Sequence, residues 1–209
     1  MAELFSLSPA DLAALLCSRV CHDIISPVGA INNGLELLDE GGADEDAMNL
    51  IRQSARNASA RLQFARIAFG AAGSAGMLID TGDAEAVAVA FLKNEKPELT
   101  WVGSRALLPK NKVKLLLNLI LVANAAIPRG GKLTVKLEDL ETHPRFTLTT
   151  SGPMLRVPPK FLELHSGHKP EEPIDAHSVQ PYYTLLLARE AGMEVSIHAT
   201  ADEITLSAA

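Results

Sequence analysis

Apolar residues recur at Leu12, Leu16, Val20, Ile24, Ile31, Leu35 and Leu38, at steps of three, four or seven. No other feature constrains the fold of this chain so tightly. At about 3.6 residues per turn, such steps place the side chains on one stripe, so the pattern predicts a single helix over residues 8–40. Ser8 suits the N-cap and Pro9 the first helical position, where a missing N–H costs nothing. Gly41-Gly42 should end the helix. A second helix is expected from about Asp44 to Phe69, with Glu45 and Asp46 in the first turn, where the dipole favours acids. Its inner face is expected to be Ile51, Ser54 or Ala55, Ala58, Leu62, Ala65 and Phe69. So short a connection makes the two helices antiparallel neighbours.

A lone helical hairpin has little to bury its stripes against. Two hairpins, one from each of two chains, would close a four-helix bundle, and Ala47, Ala55, Ala58, Ala60, Ala65 and Ala68 would allow close approach. A homodimer through this region is therefore expected; the alternative is that the hairpin packs on its own chain. Gly70 to Gly76 has a linker's composition, dividing the chain into a hairpin domain, 1–72, and a second domain, 77–209. In the second, Asp83–Glu95, Lys110–Ile127 and Val179–Ala191 read as helices. Leu133–Leu137, Phe146–Thr150, Glu194–His198 and Glu203–Leu206 read as strands. The class is α+β: a mixed sheet with helices on one face.

Composition narrows the function. Of the 209 residues, 47% are hydrophobic and 21% charged, as in a globular protein. The greasy stretch Leu115–Ile127 is interrupted by Asn118 and Asn124 and is shorter than the ~20 residues of a membrane span. MAELFSLSPADL lacks the basic start of a signal peptide. A cytoplasmic chain with no membrane partner is expected. Net charge is −6 and aromatics are 4%, which offers neither the basic face nor the stacking platform of a nucleic-acid binder. Cys17-x-x-x-Cys21-His22 is one residue too long for a haem attachment site, and the two cysteines read as small apolar helix residues. No metal site is expected.

His22 lies about 200° around the helix from Val20, away from the stripe. Its own face is Ser18, Ser26, Gly29 and Asn33, all small or polar, so the imidazole is presented with room for a partner to approach. Asp23 can hold one ring nitrogen protonated and leave a lone pair on the other. Ser26 is one turn on, and Pro27 removes a backbone donor beneath the site.

The string His22-Asp23-Ile24-Ile25-Ser26-Pro27 resembles the phosphoacceptor box of dimeric histidine kinases, with Ser26 where Asn or Thr is usual. The hairpin resembles their dimerisation and phosphotransfer domain, and the C-terminal part their ATP-binding (Bergerat) domain. The nucleotide chemistry of that domain is eroded. In the register set by Asn118-Leu119 and Pro128-Arg129-Gly130-Gly131, the magnesium-binding asparagine of kinases becomes Val122, and Asn124 lies two positions off. The adenine-reading aspartate becomes Thr150, and a glycine of the same box becomes Met154. The glycine-rich phosphate loop is replaced by His177-Ser178-Val179-Gln180-Pro181-Tyr182-Tyr183. The resemblance implies a degenerate domain that keeps the shape and has lost ATP.

A phosphoacceptor histidine without a kinase site resembles the ChpT-type histidine phosphotransferases, as do Asp46–Ile51, Leu62–Arg66 and Ala68–Gly70. That resemblance implies a dimeric relay, cytoplasmic and in cell-cycle control. It would take phosphate from the receiver domain of a hybrid histidine kinase and pass it to response regulator receivers. His22 would be the nucleophile, Asp23 its orienting group and Ser26 a phosphoryl contact, with Mg2+ arriving on the receiver. Ser18, Arg19, Gly29, Asn33 and the basic stripe of Arg52, Arg56 and Arg66 would meet the partner's acidic rim. Rival readings are an ATP-dependent histidine kinase, a non-catalytic dimeric adaptor and an aspartyl-phosphate hydrolase.

Overall fold

In a computed structural model, residues 6–40, 45–70, 77–167 and 172–209 are described. Helix α1 spans Pro9–Asp39 and α2 Glu45–Ala68. The Ser8 hydroxyl accepts from the Asp11 N–H, 3.1 Å away, as an N-cap should. The Gly41-Gly42 stop, and nearly all of the expected linker (71–76), lie outside the described residues. Antiparallel packing is close where Gly34 of α1 meets Ile51 and Ala47 of α2; a Cβ at Gly34 would stand 2.6 Å from Ile51.

The rest is a lobe of β1 (Leu78–Asp80), α3 (Thr81–Leu92), β2 (Pro97–Val102), β3 (Leu107–Pro109), α4 (Lys110–Ala126), β4 (Gly131–Glu138), β5 (Arg145–Ser151), α5 (Pro159–His165), α6 (Val179–Ala191), β6 (Val195–Ala199) and β7 (Ile204–Ala208). The main sheet has the order β2-β4-β5-β7-β6, with β2 parallel to β4 and the other pairs antiparallel. Alternation along its strands turns Leu133, Val135, Phe146, Leu148, Ile204 and Leu206 towards the core that α4 also fills. Gly131 has φ +144°, and a Cβ there would strike the Ser151 carbonyl, so the glycines after Pro128 serve the close approach of β4 to β5. β1, β2, β3 and α5 were not expected from sequence.

Three expectations about the hairpin need correction. Leu62 is 50% exposed, because α2 has two partners, while of the pair Ser54 or Ala55 it is Ser54 that is buried. Phe64, Ile67 and Ala68 turn into the lobe's core, and this rotation leaves Leu62 outside. The α1 stripe is also divided. Leu12 and Leu16 pack on the lobe, against a cluster of Leu164, Ile174, Val179 and Tyr182, while Leu35 faces outward. Finally, α1 is long and apolar enough to cross a membrane, a property that the reading of Leu115–Ile127 overlooked. Its composition follows from having two apolar sides: one within the hairpin and an exposed one with Ile25, Val28 and Leu35.

Candidate functional site

His22 stands on the outer side of α1 with its side chain 66% exposed. Its Nδ1 lies 3.9 Å from Asp23 Oδ1, too far for a hydrogen bond. Asp23 is itself held: Arg19 Nε donates to its Oδ2 at 2.9 Å, one helical turn back. Pro27 is buried within the same helix. It has no N–H to offer the Asp23 carbonyl, so one helical hydrogen bond is missing directly beneath the site.

Ser18, Ser26 and Asn33 are exposed beside His22 on its helix face, and a Cβ at Gly29 would meet nothing within 4 Å. That face is open, as expected, on α1's own residues. The lobe adds what sequence reading missed. The His177 ring sits edge-on to His22, with centroids 5.1 Å apart and planes at 80°. Arg19, expected to meet a partner, is partly exposed and reaches across to the lobe, where its guanidinium donates to the His177 carbonyl at 3.4 Å. The segment before α6 is fixed by Asp175, whose carboxylate accepts from the His177 N–H (3.0 Å), the Ser178 N–H (2.8 Å) and the Ser178 hydroxyl (2.6 Å). These hydrogen bonds, the hydroxyl's first, hold the Asp175 carboxyl below its ordinary range. The available signal was Asp175 two and three residues ahead of His177 and Ser178 at a helix start, a local turn pattern.

The basic stripe is not one patch at His22. Asp23, Val20 and Ile24 face Phe64, Ala65 and Phe69 across the hairpin, which sets Arg66 at the level of the histidine. Arg52 and Arg56 lie about 15–20 Å nearer the hairpin turn by helical rise. There they line an open cleft of about 540 Å³ with Asn49, Gln53, Lys93 and Asn94.

Several positions that resemble nucleotide boxes are used internally. The Thr150 hydroxyl, fully buried, donates to the Ile204 carbonyl at 3.1 Å, and Val122 is in the core. Asn118, also fully buried, donates to the Ala68 carbonyl at 3.0 Å and so ties α4 to the end of α2. Gln180 of α6 donates to the Asn118 carbonyl and side chain and to Thr184. Lys114 Nζ reaches the Tyr183 hydroxyl at 3.2 Å. Burial, helped by Lys110, pushes that ammonium below its usual value, and burial with Glu190 pushes Tyr183 up to about 12. Among the described residues, no group of His, Cys, Asp and Glu is arranged to hold a metal ion.

Comparison with known proteins decides the family. The model of the histidine phosphotransferase C-terminal domain matches residues 81–203. Protein phosphotransferase ChpT of Brucella abortus (strain 2308) is 76% identical over 203 residues, covering 97% of each chain. The chain belongs to the histidine phosphotransferase family. A solved bacterial phosphotransferase at 1.7 Å matches the phosphotransferase described here with 73% identity and a TM-score of 0.95, over 99% of this chain and 100% of that one. The mixed α+β architecture with an N-terminal hairpin is therefore that of the family.

Proposed function

We propose that this phosphotransferase works through His22 as the relay point between receiver domains. The single observation that carries the reading is an exposed imidazole whose Nδ1 faces a carboxylate that an arginine holds in place. In the forward step the Nε2 lone pair forms an N–P bond as the P–O bond to the receiver's aspartate breaks, and the bonding pair leaves on that carboxylate. The ring keeps its Nδ1 proton and becomes cationic, a charge that Asp23 offsets. Donation to a second receiver is the reverse step. Positioning and charge neutralisation do most of the work in phosphoryl transfer. Ser26, Ser18, Gly29 and Asn33 leave room for the docked receiver, and Arg66 can steer its acidic rim.

The donor in this reading is the receiver of a hybrid histidine kinase, and the acceptors are response regulator receivers in cell-cycle control. Any divalent cation arrives on the receiver, and the chain works without ATP. Supporting this, Thr150, Asn118 and Gln180 spend their polar groups inside the lobe. The protein is cytoplasmic and a homodimer, with Ile25, Val28, Leu35 and Leu62 as the exposed apolar residues that a second hairpin would cover. Mixing the protein with a 32P-labelled phosphoreceiver tests the reading. A base-stable, acid-labile label is expected on wild type and none on His22→Ala. Autophosphorylation from ATP and Mg2+ would favour the kinase reading, and full relay by His22→Ala the adaptor.

A further inference from the structure

The His177 ring touches His22 from the other lobe of the same chain, and the reading of His22 as a phosphoacceptor gives that contact no role. His177 is exposed, so packing of a core does not explain its place. Its backbone is fixed twice over. Asp175 accepts its N–H at 3.0 Å, and Arg19 donates to its carbonyl at 3.4 Å. Arg19 also holds Asp23, which faces His22 Nδ1. The two rings, Asp23 and Arg19 thus close a circuit that spans α1 and the segment before α6. Tyr182, on the first turns of α6, accepts the Leu7 N–H at 3.1 Å and anchors that segment to the start of α1.

An exposed histidine on a helix is free to turn about both side-chain bonds. Each rotamer aims Nε2 differently, and in-line attack tolerates little misalignment: a misplacement of ~1 Å can cost on the order of a hundredfold in rate. Edge-to-face ring contact at centroid distances of ~4.5–7 Å is favourable, and with it in place the His22 side chain still stays 66% exposed. Asp23 Oδ1 lies 3.9 Å from Nδ1, too far to set the rotation of the ring.

We infer that His177 is a positioning residue for phosphotransfer, holding the His22 imidazole by ring contact so that Nε2 is aimed at the receiver's phosphoryl group. The inference rests on His22 being the phosphoacceptor. The role belongs to the aromatic ring of His177; its nitrogens take no part in the chemistry, and no bond to it forms or breaks. The segment that resembles a lost phosphate loop thereby serves the same reaction from the opposite side.

The test uses the full-length protein and a receiver domain charged with 32P-acetyl phosphate that labels the wild type. His177→Ala is expected to lower the single-turnover rate of His22 labelling at saturating receiver about tenfold, with the receiver concentration at half-maximal rate changed less than twofold. His177→Phe, which keeps a ring edge, should return the rate to within about threefold of wild type, whereas His177→Gln should not. In 15N-resolved NMR, the His22 ring signals of the alanine variant should show greater side-chain averaging. A wild-type rate in His177→Ala, a loss that appears only in the half-saturating concentration, or failure of phenylalanine to restore the rate would each overturn the inference and leave His22 in its role. Labelling of His22→Ala would instead remove the reading beneath it.

Discussion

Lys114, Tyr183, Asn118, Gln180 and Thr184 form a polar seam in a largely apolar core. A buried polar group is costly unless paired, and among the described residues no buried side-chain nitrogen or oxygen is left without a partner. The seam has a pH signature. Tyr183 ionises near 10 in an unfolded chain and at about 12 in the folded one. Between those values the unfolded state has released its proton and the folded state has not, so stability falls as pH rises from 10 towards 12. Tyr183→Phe removes this dependence. Chemical denaturation at pH 9 and pH 11.5 should show wild type losing about 2 kcal/mol more than the variant across that interval. Lys114 acts in the opposite sense. Its folded pKa lies below the unfolded value of 10.5, so the wild type gains stability as pH rises from that lowered value to 10.5, and Tyr183→Phe is the cleaner probe because Lys114 is retained in both proteins. An equal loss in the two proteins would mean that the Tyr183 hydroxyl is not held neutral by its surroundings.

At the scale of elements, the seam explains how the hairpin and the lobe are joined. The Asn118 amide reaches the Ala68 carbonyl in the last turn of α2, where a helix has carbonyls without helical partners. Asn118→Ala leaves the buried Ala68 carbonyl without its donor, while the Gln180 amide keeps the residue-118 backbone carbonyl and Thr184, and should cost about 1–3 kcal/mol, read as a lower denaturation midpoint with an unchanged slope. Asp175 plays a smaller part in the segment before α6. Asp175→Ala frees the His177 and Ser178 N–H groups, and the His22 labelling rate should fall severalfold with little change in melting temperature; an unaffected rate would separate the turn from the site. These elements also show what a sequence reveals. The α1 stripe and the alternation in β4 and β5 were legible because each follows a fixed period, and α4 because it is an apolar run stopped by Pro128 and Gly130-Gly131. His22, Asp23 and Pro27 were legible because they are neighbours in the chain. β1 and β3 escaped notice because three-residue strands carry no period. Leu62 was misassigned because periodicity finds an apolar face and cannot say which of two partners takes it. His177 was missed because its contact joins residues far apart in sequence, and reading the segment for lost glycines concealed what had replaced them.

For the whole molecule, the open question is what covers the hairpin. Ile25 is 70% exposed, Val28 42%, Leu35 47% and Leu62 50%. Ile25, Val28 and Leu35 follow one another at steps of three and seven, which sets them on one side of α1, about 100° from the face that meets α2. A helix in a four-helix bundle contacts two neighbours, on faces set roughly that far apart. Beyond the start of α1, which packs on the lobe, this stretch of the helix has α2 as its neighbour inside the chain and leaves the second face exposed. Covering each of these half-exposed side chains is worth roughly 1 kcal/mol, and each occurs twice in a symmetric pair, a sum comparable with the cost of association. Val28→Asp with Leu35→Asp places a charge on that surface in two turns away from His22. Because neither residue is buried within the single chain, the helices should still form, and far-UV circular dichroism should match wild type. Light scattering should report the mass of two chains for wild type and of one for the double variant at micromolar concentration. His22, Asp23, Arg19 and His177 all come from one chain, so the separated subunit should retain a site that accepts phosphate, at a rate reduced only by what the second hairpin contributes to docking. A single-chain mass for wild type would leave the apolar seam to some other occupant; complete loss of labelling in the separated subunit would show that the site needs residues from both copies.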